Sequence, residues 1–252
     1  MVQETGRRAR NRLERHEAFL VTAKRIVASE GLEALTMQRL ATELDCAVGT
    51  AYTYFPSKSA LVAELQRDAI GTLSESYLLF RARFEASIAQ REAAAGVVAL
   101  AHLVGFGRFW IATFETYPEE ARLLQLLMAE PSAGIIADDD LGRVVPAALR
   151  LLSHARTAFA VAASVGALRK GDPMDRTVTL AAAMNGVLML DRLARVDAEL
   201  FNGARHAVDL VHDLLLGWGA DARTLAAAAS RIDTLATAGP LAPMVTPTRE
   251  TS

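Results

Sequence analysis

A chain of 252 residues with 52% hydrophobic residues and a mean hydropathy of +0.20 can bury a sizeable core and is too apolar for general disorder. Its net charge of −2 and pI near 6.2 exclude a uniformly basic nucleic-acid binder. The single cysteine, Cys46, excludes an intrachain disulfide and a cysteine-based zinc site, as expected of a protein of the reducing cytoplasm.

The charge is unevenly placed. In the first 25 residues Arg7, Arg8, Arg10, Arg12, Arg15, Lys24 and Arg25 face only Glu4, Glu14 and Glu17. The polar start is not a signal peptide, and residues 1–12 read as a flexible basic arm. A first helix is expected over 13–30, where Phe19, Leu20, Ala23, Ile26 and Val27 recur at helical spacing and Gly31 suits the αL stop. Thr36 is a good N-cap for a second helix whose inner face is Met37, Leu40, Ala41 and Leu44. Asp45, Cys46 and Ala47 make a turn, with Cys46 as a small buried filler. A short third helix runs from Val48 to Phe55 and stops before Pro56, which disfavours helical geometry in the residue preceding it. Ser57 then caps a fourth helix that starts at Lys58, carries Leu61, Val62, Leu65 and Ile70, and runs past Leu78.

Further helices are expected at about 94–116, 118–129, 141–169, 173–196, 202–217 and 221–237, with Pro118 and Pro173 in first-turn positions and Asp172 as an N-cap. The Pro131-Ser-Ala-Gly134 stretch reads as a break, and residues 239–252 as a flexible Pro-rich tail. The apolar segments 96–107 and 158–168 fall short of the ~20 residues that span a bilayer, so no membrane partner is expected. The fold class is therefore all-α, with a small domain at 13–70 and a larger helical domain at 71–238.

The segment 36–55 has the form of a helix-turn-helix. The third helix is too short to serve as scaffolding alone, and its residues suit DNA. Gly49 lets the backbone approach a phosphate, and Thr50 offers a hydroxyl to a phosphate and a methyl to a thymine. Tyr52 and Tyr54 project from different sides, while Ala51 and Phe55 form the inward face. Lys58 can hold a phosphate together with the N–H groups of the helix it opens.

Thr36, Gly49-Thr50-Ala51-Tyr52-Thr53-Tyr54-Phe55 and Pro56-Ser57-Lys58 closely resemble the DNA-binding domain of TetR-family (TetR/AcrR-type) transcriptional regulators, over residues 15–70. The resemblance implies that Thr36, Gln38, Thr50, Tyr54 and Lys58 contact phosphates or nearby bases, and that Gly49, Thr50 and Tyr52 face the groove floor. Asp45, Ala47, Val48 and Thr53 depart from the family pattern. Asp tolerates αL, Ala47 removes a capping hydroxyl, and Val48 can supply an apolar contact to a thymine methyl. The DNA-contact set is thus Thr36, Gln38, Val48, Gly49, Thr50, Tyr52, Thr53, Tyr54 and Lys58.

The resemblance further implies a homodimeric repressor, released from a palindromic double-stranded operator by a small-molecule effector bound in the large domain. A helical regulator without such an effector is the alternative. Phe106, Phe109, Trp110, Phe114 and Tyr117 share one expected helix, with Phe159, Met184 and Met189 on later ones. That spacing suits a core as well as a pocket. The polar residues His102, Arg108 and Asn185 among them favour a pocket, because buried polar groups need partners. The candidate effector set is His102, Phe106, Phe109, Trp110, Phe159, Met184 and Asn185, for an apolar or aromatic molecule. Leu180, Val187, Leu190, Leu193, Val208, Val211, Leu214 and Leu215 lie on the helix pair that forms a four-helix dimer interface in similar proteins. The five histidines form no metal pattern, Gly105-x-Gly107 lacks the context of a dinucleotide fingerprint, and no catalytic motif appears. Neither enzyme activity nor a cofactor is expected.

Overall fold

The computed structural model describes residues 2–89, 93–129 and 137–245. Ten α-helices occur in this order among the described residues: α1 Val2–Glu30, α2 Met37–Glu43, α3 Val48–Tyr54, α4 Lys58–Ala89, α5 Ala95–Thr116, α6 Pro118–Ala129, α7 Asp138–Ser164, α8 Pro173–Leu188, α9 Gly203–Gly217 and α10 Ala222–Thr237, with a 3-10 turn at Met189–Leu193. There is no strand among them.

Local chemistry explains most of the boundaries. The Thr36 hydroxyl accepts from the Arg39 N–H at 3.1 Å, and Asp172, Asn202 and Asp221 cap α8, α9 and α10 in the same way. Ser57 Oγ accepts from Ala60 N at 3.0 Å and starts α4. Gly31 (φ +89) ends α1 in the left-handed region. α7 begins at Asp138 rather than 141, with three aspartates in its first turn that favour the positive end of the helix dipole. It stops at Ser164 rather than 169, because Gly166 turns left-handed at φ +73. The expected break at 131–134 lies outside the described residues.

The chain groups into two compact units: Met1–Gly71 with Glu119–Ala147, and Thr72–Pro118 with Ala148–Ser252. The first unit has a core of Phe19, Ala23, Ile26 and Val27 from α1, Met37, Leu40 and Ala41 from α2, Ala51 and Phe55, and Leu61, Val62, Leu65 and Ala69 from α4. It also takes in α6, which the sequence assigned to the large domain. Leu123 enters this core, its carbonyl accepts from Gln66 Nε2, and Arg122 donates to the Ala28 carbonyl. Lys24 bridges Asp68 at 2.9 Å and Glu120 at 3.1 Å. Burial pulls the Lys24 ammonium down, but the two carboxylates outweigh it and raise it above its ordinary value.

Two expectations at the chain ends are corrected. The arm at 1–12 is helical from Val2 and continuous with α1, since its Arg, Ala, Gln and Glu residues are good helix formers and no proline breaks them. Of the expected tail at 239–252, the segment 239–245 is packed on the second unit, and 246–252 lie outside the described residues. Ser76 Oγ and Tyr117 Oη donate to the Pro243 carbonyl, each at 2.7 Å, Arg83 donates to Pro240, and Ala242 is fully buried.

In the second unit α5 packs on α10 and α9, and α8 on α9. Gly105 and Gly107 serve this packing: an added Cβ would meet Phe80 and Ile232 at the first and Val211, at 2.8 Å, at the second. Ala95–Thr116 is long and apolar enough to cross a membrane, longer than the apolar stretch seen in the sequence, and 56% of its most apolar window is buried within the chain.

Candidate nucleic-acid interface and cavity

The turn between α2 and α3 holds Asp45 at φ 47, the left-handed conformation that Asp tolerates. Cys46 N donates to Ala41 O at 2.9 Å and closes the turn, while the Cys46 side chain packs partly buried against the core. Ala47 caps α3 with no side-chain hydrogen bond. α3 is fixed from behind: Ala51 and Phe55 are buried, and Val48 and Tyr54 pack against the same core.

His16 reaches α3 from α1. Its ring stacks on Phe55 at 5.0 Å and meets Tyr54 at 6.2 Å, while Nε2 lies 3.1 Å from Glu64 of α4. The sequence offered only the negative finding that His16 belongs to no metal set; its role in tying α1, α3 and α4 together needed three-dimensional contacts.

The DNA-contact candidates separate into three groups. Thr36, Gln38, Gly49, Tyr52 and Thr53 are exposed, Tyr52 with half its surface open. Thr50 is half-buried. Val48 and Tyr54 are drawn partly into the core, and Tyr54 lies 5.1 Å from the Phe19 ring. Thr53 Oγ1 donates to the Gly49 carbonyl at 2.9 Å, which leaves its oxygen to accept. Lys58 is half-buried, and its ammonium donates to the Leu32 carbonyl at 2.9 Å, which uses one of its three donors.

Several nearby cations are engaged within the protein. Arg25 meets Glu43 at 2.5 Å, and Arg39 pairs with Glu30 at 2.6 Å and Glu43 at 3.6 Å. The hydrogen bond from Arg25 holds the Glu43 carboxyl below its usual value, and Glu30 raises the Arg39 guanidinium above its own. The exposed basic surface therefore includes Arg7, Arg10, Arg12 and Arg15 on the first turns of α1. Lys58→Ala is expected to flatten the log–log salt dependence of DNA binding by about one unit, read by fluorescence anisotropy. An unchanged slope would assign Lys58 wholly to holding Leu32.

The second unit contains a cavity of about 500 Å³, within the range that holds small ligands. Tyr77, Arg81 and Glu85 of α4, His102 of α5 and His154 of α7 line it, with Val98, Val161 and Val165 on its apolar side. Of the candidate effector residues, His102 lines this cavity. Phe106, Phe109, Trp110, Phe159, Met184 and Asn185 do not; they are buried in the unit's core. The aromatic stripe on α5 packs inward, with Phe106 and Phe109 edge-on to Tyr77 at 5.4 and 5.1 Å. Arg108 reaches Asp233 at 3.2 Å. Tyr77, Arg81 and His154 were not singled out from sequence; the i, i+4 spacing of Tyr77, Arg81 and Glu85 along one helix face is the signal that could have marked them.

Residues 19–65 match the family model of bacterial regulatory proteins, tetR family. No curated protein matches the chain significantly. Among solved structures, the chain is similar to a putative transcriptional regulator from Saccharomonospora viridis in complex with choline, at 18% identity and TM-score 0.55, over 79% of this chain and 96% of that one. It is also similar to a putative tetR family transcription regulator from Shewanella sp. PV-4 (18% identity, TM-score 0.50, 81% and 95% covered) and to the transcriptional regulator FadR from Bacillus subtilis in complex with stearoyl-CoA (14%, 0.50, 77% and 96%). These likenesses concern the fold; the family match covers the helix-turn-helix itself. Residues 19–65 thus match the DNA-binding segment of the tetR family of bacterial regulatory proteins, and the likeness of the chain to these solved structures is one of all-helical fold.

Proposed function

We propose that this protein is a homodimeric repressor that binds a palindromic operator through α3 and is released by a small molecule held in the cavity of the second unit. It acts in the cytoplasm, as a binding protein and not as a catalyst. The DNA-binding part spans residues 13–70 with the basic start of α1 ahead of it, and the regulatory part follows it. Two copies of α3 would enter successive major grooves about 34–36 Å apart.

The observation that carries this reading is the continuity of α4. One helix begins at Lys58, three residues beyond the recognition helix and its cap, and carries Tyr77, Arg81 and Glu85 to the cavity wall. A ligand that displaces α4 at the cavity acts on the same helix that follows α3 in the chain. The cavity itself favours an effector over a regulator that has none. The small molecules named with two of the similar structures, choline and stearoyl-CoA, support a ligand-holding large domain. Dimerisation is supported by apolar side chains on α8 and α9 that the chain leaves partly open, including Val178, Val187, Val208 and Leu216, whereas Leu180, Val211 and Leu215 are buried within the chain.

A compound that binds the cavity should weaken operator binding by about 5- to 150-fold, equivalent to a coupling of ~1–3 kcal/mol. Anisotropy titrations of a labelled operator with and without a saturating cavity ligand measure this directly. Unchanged operator affinity at saturation would overturn ligand release and leave the effector-free alternative.

A further inference from the structure

On the reading that this cavity is the effector site, its wall specifies the class of ligand. We propose that the cavity takes a carboxylate with an apolar tail, anchored on Arg81 and bordered by His154, His102 and Tyr77.

Arg81 Nε lies 3.0 Å from Glu85, and its terminal nitrogen donates to His154 Nδ1 at 3.3 Å. A guanidinium only donates, so His154 accepts through Nδ1 and carries its proton on Nε2, as a second donor. Glu85 and His154 engage two of the five N–H donors of Arg81. The Arg81–Glu85 pair is open to solvent, with 40% and 54% of the two side chains exposed, so it is weak and Glu85 can turn outward.

Burial pushes the Tyr77 hydroxyl up to about 12, which keeps it a donor at neutral pH. Burial lowers both His102 and His154, the latter with help from Arg81, which favours the neutral form of both imidazoles. The polar side thus offers chiefly donors and one cation, and its only carboxylate is already paired. The other side is aliphatic: Ala95, Val98, Ala99, Ala158, Val161 and Val165. An acceptor-rich anion with an apolar tail complements both sides. A quaternary ammonium such as choline would instead face the Arg81 guanidinium.

His102 also sets a pH dependence, whereas His154 is held neutral because its Nδ1 accepts from the Arg81 guanidinium. A bound carboxylate favours the charged form of His102, so binding takes up a proton and tightens as pH falls from 8 to 6, by at most about tenfold per unit.

The test is calorimetric titration of the full-length protein with octanoate, octan-1-ol and choline. Octanoate is expected to bind at least about tenfold more tightly than octan-1-ol, the effect of charge-assisted hydrogen bonds, and choline should bind more weakly than either. Arg81→Met should reduce octanoate to the level of octan-1-ol and leave octan-1-ol unchanged. Ala99→Trp, which fills the cavity, should abolish both. Where Arg81→Met does not fold, the wild-type ratio and its rise toward pH 6 decide. Equal binding of octanoate and octan-1-ol, or tighter choline, overturns the carboxylate class, while loss of octan-1-ol in Ala99→Trp keeps the cavity as a ligand site. Absence of binding by every probe, or binding that Ala99→Trp leaves intact, overturns the cavity reading together with the class.

Discussion

Phe55→Ala should destabilise the helix-turn-helix unit by about 3–5 kcal/mol, the cost of deleting a phenyl ring from a packed core. Phe55 is 1% exposed and stands where α3 ends and α4 begins. Its ring stacks on His16 at 5.0 Å and meets Phe19 edge-on at 6.1 Å, so one side chain fastens α3 to α1. Pro56 follows, which holds the chain extended and limits collapse into the void. Such a loss is a large part of a typical domain stability of about 5–15 kcal/mol, and specific DNA binding should disappear with it. Urea unfolding followed by circular dichroism measures the change; a loss under about 1 kcal/mol would show that Phe55 does not fasten α3.

Gly49→Ala should have the opposite profile, with the fold unharmed and DNA binding weakened by about tenfold or more, the cost of holding a phosphate off its hydrogen-bonding position. Gly49 lies in the first turn of α3, its φ is not in the left-handed region, and an added Cβ would meet nothing within 4 Å. Nothing inside the protein therefore requires glycine here, and alanine is the better helix former by up to about 1 kcal/mol. The residue makes sense if something outside approaches the backbone closely. Gly107 is the internal contrast, since there a Cβ would strike Val211 at 2.8 Å. Melting curves paired with anisotropy titrations separate the two effects. Unchanged DNA affinity in a stable Gly49→Ala protein would place Gly49 away from the DNA.

The helix-turn-helix was legible because its signals are local. A cap at Thr36, an αL-tolerant Asp45, a Pro56 stop and a Ser57 cap each act within a few residues, and each is seen in the structure. The division of α3 into an inner face of Ala51 and Phe55 and an outer face of Gly49 and Tyr52 follows from helical periodicity alone. What sequence could not reach was tertiary. Lys58 reads as a phosphate ligand, but its second role, donating to the Leu32 carbonyl at 2.9 Å, is not visible in the sequence. Arg25 counts toward the basic excess of the first 25 residues until Glu43 is found 2.5 Å from it. The assignment of α6 to the first unit depends on Leu123 entering its core, a contact distant in sequence. The expected effector residues differ from this cavity's lining for a related reason: aromatic side chains at helical spacing mark burial, and Phe106, Phe109 and Phe159 are buried. The cavity is instead walled by small aliphatic residues and by Arg81, His102 and His154, which no single helix brings together.

Sequence reading by α3 is the step on which the proposed function depends. Its most direct measurement is capture of genomic fragments by the full-length protein in the presence of excess random DNA, followed by sequencing, with Tyr52→Ala in parallel. Tyr52 is the large exposed side chain of α3, and removing it leaves the core intact. The expected result is enrichment of a small set of fragments sharing an inverted repeat, lost in Tyr52→Ala although that variant still binds random DNA at low salt. No enrichment by the wild type, or the same enrichment by Tyr52→Ala, would contradict sequence reading by this helix.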